Sequence, residues 1–182
     1  LMIKQHHAYS SAGKSREADA RLVDWIAKSP EDILVRHYAA DDLMNRGMLK
    51  DAIAHYEWRE KRQPANVAVL NNLALAYHAT GDKRAAMIAE RAYKTRPDAG
   101  AVADTLGWIL VQDGDLQRGM ELLQQAVRAT PQSDEIRLHL AQAWIKIGNP
   151  DRARAELQKI LANADPSASK RDAERLLKQL SS

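Results

Sequence analysis

Prolines fall at Pro30, Pro64, Pro97 and Pro131, and the gaps between them are 34, 33 and 34 residues. Glycines keep the same beat at Gly13, Gly47, Gly81, Gly114 and Gly148. A fixed period of this size means that one supersecondary unit is repeated and stacked, which rules out most folds open to a chain of 182 residues. Each glycine follows an apolar helical run. A second run follows it and carries a small residue at a matching place: Ala18, Ala52, Ala86, Gly119 or Ala153. Each unit therefore reads as helix, tight turn, helix, proline. Glycine suits the turn because it accepts the left-handed backbone that ends a helix. Asp115 and Asn149, just past their glycines, are placed to cap the next helix, and Pro150 fits a first helical turn.

This pattern resembles the tetratricopeptide repeat (TPR). The unit with Leu106, Gly107, Leu110, Gly114, Asp115, Leu123, Ala126 and Pro131 matches best. The next supplies Leu140, Ala141, Trp144, Gly148, Ala153 and Leu157, and an earlier one supplies Ala40, Leu43, Gly47, Ala52, Tyr56 and Pro64. The unit with Leu73, Ala74, Tyr77 and Gly81 is one residue short around "GDKRAA". The first keeps Tyr9 but has His6 in a small-residue slot. The resemblance implies an all-α, right-handed TPR solenoid in a single domain over 1–182. Its repeats fall near 1–32, 33–66, 67–99, 100–133 and 134–167, with a capping helix at 168–180.

Several stretches imitate chemistry. "DTLGWILVQDGDLQRG", residues 104–119, has two aspartates around a glycine. A calcium loop needs a longer ladder of oxygens and a closing glutamate, so the stretch reads as a turn between paired helices. "YSSAGKS" ends like a phosphate loop, but Ala8 stands where the motif needs glycine, and a helix precedes it where the motif needs a strand. His6, His7, His37, His78 and His139 lie on first helices and His55 on a second helix, in no metal-binding pattern. No nucleophile elbow, dinucleotide fingerprint or paired-carboxylate motif is present. The expectation is no catalytic residue, no metal and no cofactor.

Charge adds little. Lys and Arg number 27 against 24 Asp and Glu, with no dense cationic run, which argues against nucleic acid. The absence of cysteine excludes structural disulfides and thiolate metal sites. The longest apolar stretch, Leu106 to Val111, is too short to cross a bilayer. Projected backward, the repeat phase starts before Leu1, so the expectation is a C-terminal piece of a longer solenoid with an open N-terminal edge. After Pro166, Ser169 and Asp172 read as a capping box, and Ala173, Leu176, Leu177 and Leu180 form one apolar stripe.

A narrower resemblance rests on "LNNLALAYHATGD", "AERAYKTRPD", "DTLGWILVQDGDLQRGMELLQQAV" and "EIRLHLAQAWIKIGNPDRARAEL". Together these look like the C-terminal repeats of the bacterial TPR lipoprotein of the exosortase and PEP-CTERM system, a family linked to export of surface polysaccharide and biofilm matrix. That implies a periplasmic, lipid-anchored full-length protein; a cytoplasmic protein is the alternative.

In TPR proteins the concave groove is built from the first helix of each pair. The resemblance then places His37, Asp41, Asn71, Leu75, His78, Asp104, Trp108, Val111, Leu138, Gln142 and Ile145 on it, with Lys4, His7 and Lys146 at its ends. Trp108 reads either as a groove anchor or as a residue tucked between repeats. The chaperone-tail clamp of some TPR domains uses lysine, arginine and asparagine; here Asn71 has a suitable chemistry, but the helix interiors around it offer Asp41 and Asp104 in place of cations, so acidic C-terminal tails should be repelled. Two functions compete: a scaffold that takes a protein or peptide segment in the groove, and a structural solenoid that self-associates through its N-terminal edge.

Overall fold

A computed structural model describes residues 1–163 and 167–180. Among these residues it contains eleven α-helices and no strand. The helices are α1 (Met2–Ser11), α2 (Ser15–Lys28), α3 (Ile33–Asn45), α4 (Leu49–Arg62), α5 (Val67–Ala79), α6 (Ala85–Thr95), α7 (Gly100–Asp113), α8 (Leu116–Ala129), α9 (Asp134–Lys146), α10 (Pro150–Leu161) and α11 (Ala168–Gln179). The chain forms two compact units, Leu1–Lys83 and Arg84–Ser182.

The predicted punctuation is in place. Every turn glycine has positive φ; at Gly114 it is 98° and at Gly148 77°, a backbone that side-chain-bearing residues rarely adopt. Asp115 accepts from Arg118 N at 3.3 Å, and Asn149 from Arg152 N at 3.2 Å with Pro150 in the first turn. A second set of caps follows the prolines. Asp32, Asn66 and Ser133, each two residues past a proline, accept from Val35, Val69 and Ile136 N and start α3, α5 and α9. Each such cap contributes about 1 kcal/mol. Ala99, on the same beat, has no side chain that can do this. The last helix starts at Ala168, as expected, but its cap is not the Ser169 box. Ser167 is its cap, accepting from Lys170 N at 3.1 Å, while Asp172 pairs with Arg175 instead of closing a box with Ser169. Pro166 and Asp165 lie outside the described residues.

In the first unit α1 pairs with α2 and α3 with α4; α3 rests on the first pair and α5 on α4. Met2, Leu22, Val35 and Ala39 make its N-terminal core. On α1 Met2 is buried and Ile3 and Tyr9 are half-buried, while Lys4, Gln5, His7, Ala8 and Ser11, with Leu1 before the helix, are left in solvent. In the second unit α6 packs on α7, α7 pairs with α8, and α9 pairs with α10. Apolar residues recur three and four apart, as in Gly119, Leu123 and Ala126 of α8 and Ala153, Leu157 and Ile160 of α10, all buried. Each fully buried leucine or isoleucine adds roughly 1.5–3 kcal/mol. The amphipathic helix α11 covers α9 and α10, with Ala173, Leu176, Leu177 and Leu180 packed on Leu138, Ala141, Leu157 and Ile160.

Candidate functional site

In the first unit, one helical turn separates His37 and Asp41, and His37 Nδ1 lies 3.4 Å from Asp41 Oδ2. The other oxygen of Asp41 accepts from the hydroxyl of buried Tyr56 at 2.7 Å and from Asn72 Nδ2 at 3.5 Å. Burial, and then Asp41 as acceptor, raise the Tyr56 phenol above its ordinary pKa, so it stays a donor. Asp41, Tyr56 and Asn72 line an open pocket of about 310 Å³ with Met44, Asn45 and Leu75; the predicted His37 does not line it. Asn71 sits beside this pocket in sequence but does not line it, and its Oδ1 is buried without a partner. His78 is half-buried in the last turn of α5; Lys4 and His7 are exposed on α1.

In the second unit the focus is an aromatic stack. The Trp108 ring lies on the His139 ring, 4.6 Å between centroids and 12° from parallel. His139 Nδ1 sits 2.9 and 3.0 Å from the two oxygens of Asp104, which is only 7% exposed. The carboxylate thereby fixes the imidazole as an Nδ1–H donor. Trp108 is half-buried against the cluster of Val111, Met120, Leu123 and Leu140, so it is both packed between helices and partly open. Gln142 and Ile145 are half-buried on the same helix as His139.

Besides Asp104, two predicted groove residues lie inside the packing. Val111 is fully buried because Leu140, Ala143 and Trp144 of the following repeat cover it. Leu138 is 7% exposed because the last repeat carries α11 over it. Lys146 is engaged: its ammonium donates to Val111 O at 2.7 Å and Gln112 O at 3.3 Å, carbonyls of the last turn of α7.

Tyr38, Asn72 and His139 were not among the predicted lining residues, yet each reaches back to the preceding first helix, to His6, Asp41 and Asp104 respectively. They keep the repeat beat, and that periodicity was the available signal.

Among the described residues one set of side chains can be drawn around a metal ion: His6, Asp19 and Asp42. Arg46 already occupies it, bonded to both oxygens of Asp19 at 2.7 Å and to Asp42 at 2.8 Å, while buried His6 is held by Tyr38 and Asp19. The cluster is therefore a hydrogen-bonded ion network with the Arg46 guanidinium between its carboxylates. The Arg46 hydrogen bond, against a smaller effect of burial, holds the Asp19 carboxyl below its ordinary pKa. Stability from this shift is complete above the unfolded value, about 3.9, and is lost as pH falls through the lower folded value. Arg46→Gln is expected to cost about 0.5–1 kcal/mol, as for a partly exposed pair. Urea midpoints should show that cost unchanged between about pH 7 and 5 and shrinking below about pH 4. A cost that grows on acidification would refute this account. Gly13-Lys14-Ser15 forms the α1–α2 turn, with Gly13 at positive φ.

Residues 39–101 and 110–180 match the tetratricopeptide repeat family. TPR repeat-containing protein PA4667 of Pseudomonas aeruginosa is 27% identical over 151 residues, which take in 78% of this chain. The chain spans only 24% of that relative's length. Among solved structures, the thermophilic TPR protein TTC0263 of Thermus thermophilus superposes with a TM-score of 0.76 at 18% identity, covering 97% of both chains. YrrB, described as a TPR protein with an unusual peptide-binding site, gives 0.67 at 15% identity, over 96% of this chain and 90% of its own. No described helix is long and apolar enough to cross a membrane. The two matched segments take in most of the sequence, and the chain belongs to the tetratricopeptide repeat family.

Proposed function

We propose that this chain is a non-enzymatic protein-interaction scaffold that holds an extended protein segment on its first helices, with Trp108 and His139 as the aromatic platform. The observation that carries this reading is the stack itself. Trp108 is half-exposed, flat against His139, and the imidazole is oriented by a buried carboxylate. A rigid aromatic surface with one polar edge costs little entropy to use and suits an apolar anchor next to a peptide group. The peptide-binding site of YrrB, on the same fold, supports the class of partner. Asp41 and Asp104 favour neutral or basic segments over acidic ones.

Trp108→Ala should weaken a bound segment about 30-fold, or ~2 kcal/mol, with the helical circular dichroism retained. His139→Ala should do the same more weakly while leaving the core beneath Trp108 in place. If Trp108→Ala unfolds the second unit and His139→Ala leaves binding unchanged, the platform reading fails.

The comparisons support the repeat family; the exosortase-linked setting rests on the sequence resemblance over about residues 70–161. In that setting the full-length protein is lipid-anchored in the periplasm and serves polysaccharide export or matrix assembly. The sequence upstream of Leu1 tests it: a signal peptide with a lipid-anchoring cysteine supports it, and direct continuation into a cytoplasmic domain overturns it.

A further inference from the structure

A second concavity on the first unit shares no lining residue with the Asp41–Tyr56–Asn72 pocket. It has a volume of about 270 Å³ and is walled by α2, α3 and α4. Leu22, Ile26, Ala39 and Leu43 line it with apolar surface. Val23, 67% exposed, and Met48, 40% exposed, stand at its edge as large hydrophobic side chains left in water. Scattered exposed hydrophobics are ordinary, but two flanking one apolar concavity form a continuous patch.

The charged lining is net acidic. Asp19, Asp42 and Asp51 contribute three carboxylates against the single guanidinium of Arg46, a net charge of −2. Arg46 is spent on Asp19 and Asp42, so Asp51, exposed in the first turn of α4, has no cation of its own. His55 does not offset the acids. Burial first, then the nearby Arg36 charge, lower its pKa, so it is neutral at pH 7, and its Nδ1 is buried without a partner.

We propose that this concavity is a docking site for a partner segment carrying one aliphatic side chain beside a lysine or arginine. The size admits the first part: about 270 Å³ is at the small end of ligand pockets and has room for an aliphatic side chain together with the stem of its neighbour. The uncompensated acidity fits the second, because the cation would sit at Asp51 while the aliphatic group covers Leu22 and Leu43. The site lies in the first unit and shares no residue with the Trp108–His139 platform, so either can fail without the other.

The test titrates the isotope-labelled chain with hexylammonium chloride and, separately, sodium hexanoate at constant ionic strength. Hexylammonium is expected to give saturable amide shifts clustered at Leu22, Val23, Leu43 and Met48, with hexanoate at least about tenfold weaker. Val23→Lys and Asp51→Lys, both at exposed positions, should each weaken hexylammonium at least about tenfold without changing the circular dichroism. Equal responses to the two probes, shifts centred elsewhere, or unchanged binding in both variants would overturn the proposal. Sedimentation covers the remaining occupant: concentration-dependent dimers that Val23→Lys abolishes would make this face a contact between copies and would also overturn it.

Discussion

Gly119→Val is expected to cost the α7–α8 pair about 3 kcal/mol, the upper part of the range for overpacking a close-packed interior. The helices touch through a glycine pair. A Cβ at 119 would lie 2.6 Å from Val111 Cγ2 and 2.9 Å from Gly107 O and Val111 N; a Cβ at 107 would lie 3.0 Å from Gly119 O, Leu122 Cβ and Leu123 N. Much of what it meets is backbone, so a rotamer change cannot relieve the clash. Valine adds two methyl groups and recovers only a few tenths of a kcal/mol of helix propensity over glycine. Gly119→Ala should be much milder, about 1 kcal/mol, because alanine recovers ~1 kcal/mol of propensity. Matching slots elsewhere hold alanine pairs, Ala40 with Ala52 and Ala141 with Ala153, so slightly wider helix pairs are stable in this fold. Urea unfolding read by hydrogen exchange across α7 and α8 decides it. Equal midpoints for Gly119→Val and the wild type would mean that the close approach contributes nothing.

The glycine and proline beat made the repeats legible because turns and caps are local chemistry: a left-handed turn needs glycine whatever surrounds it, as at Gly114 and Gly148. What a side chain faces is not local, and the site suffered for it. Trp108 was legible as an aromatic on a first helix, but its partner His139 lies 31 residues further on, and only the stacking of α9 on α7 brings the rings together. Val111 shares its helix with Asp104 and Trp108, so phase alone put all three on one face; the next repeat covers the last turn of α7 and leaves Trp108 half-open. Leu138 is buried for a reason specific to the chain's last repeat, since α11 lies across it. The short third unit shows the same divide. Its missing residue was visible in "GDKRAA", but the consequence, a helix that begins only at Ala85 after Arg84 with no side-chain cap, follows from how the turn is closed.

Arg59→Met is expected to stabilise the first unit by about 1–3 kcal/mol, the cost of buried donors left without a partner. Arg59 stands on a beat otherwise held by Trp25, Ala92, Ala126 and Ile160, all apolar, and it is only 5% exposed. Its guanidinium donates once, from Nη2 to Gln63 Oε1 at 3.0 Å, while Nε and Nη1 are buried without partners. Burial is the largest influence on the group and lowers its pKa, against a smaller opposing attraction to Asp41 and then Tyr56. Methionine keeps much of the length and the apolar stem and removes both the desolvated charge and the unmet donors. The neighbouring polar groups keep partners: Asp41 retains the Tyr56 hydroxyl and Asn72, and Gln63 retains Asn66 Nδ2 at 3.3 Å. Arg59→Ala separates charge from volume. It removes the same charge but leaves a cavity, whose cost of roughly 2 kcal/mol or more offsets the gain. The urea midpoint of the full chain should therefore rise for methionine and stay level or fall for alanine. If methionine also lowers the midpoint, the attraction between Arg59 and Asp41 outweighs the burial of the guanidinium, and the cation at this position is a structural partner of the Asp41–Tyr56–Asn72 pocket.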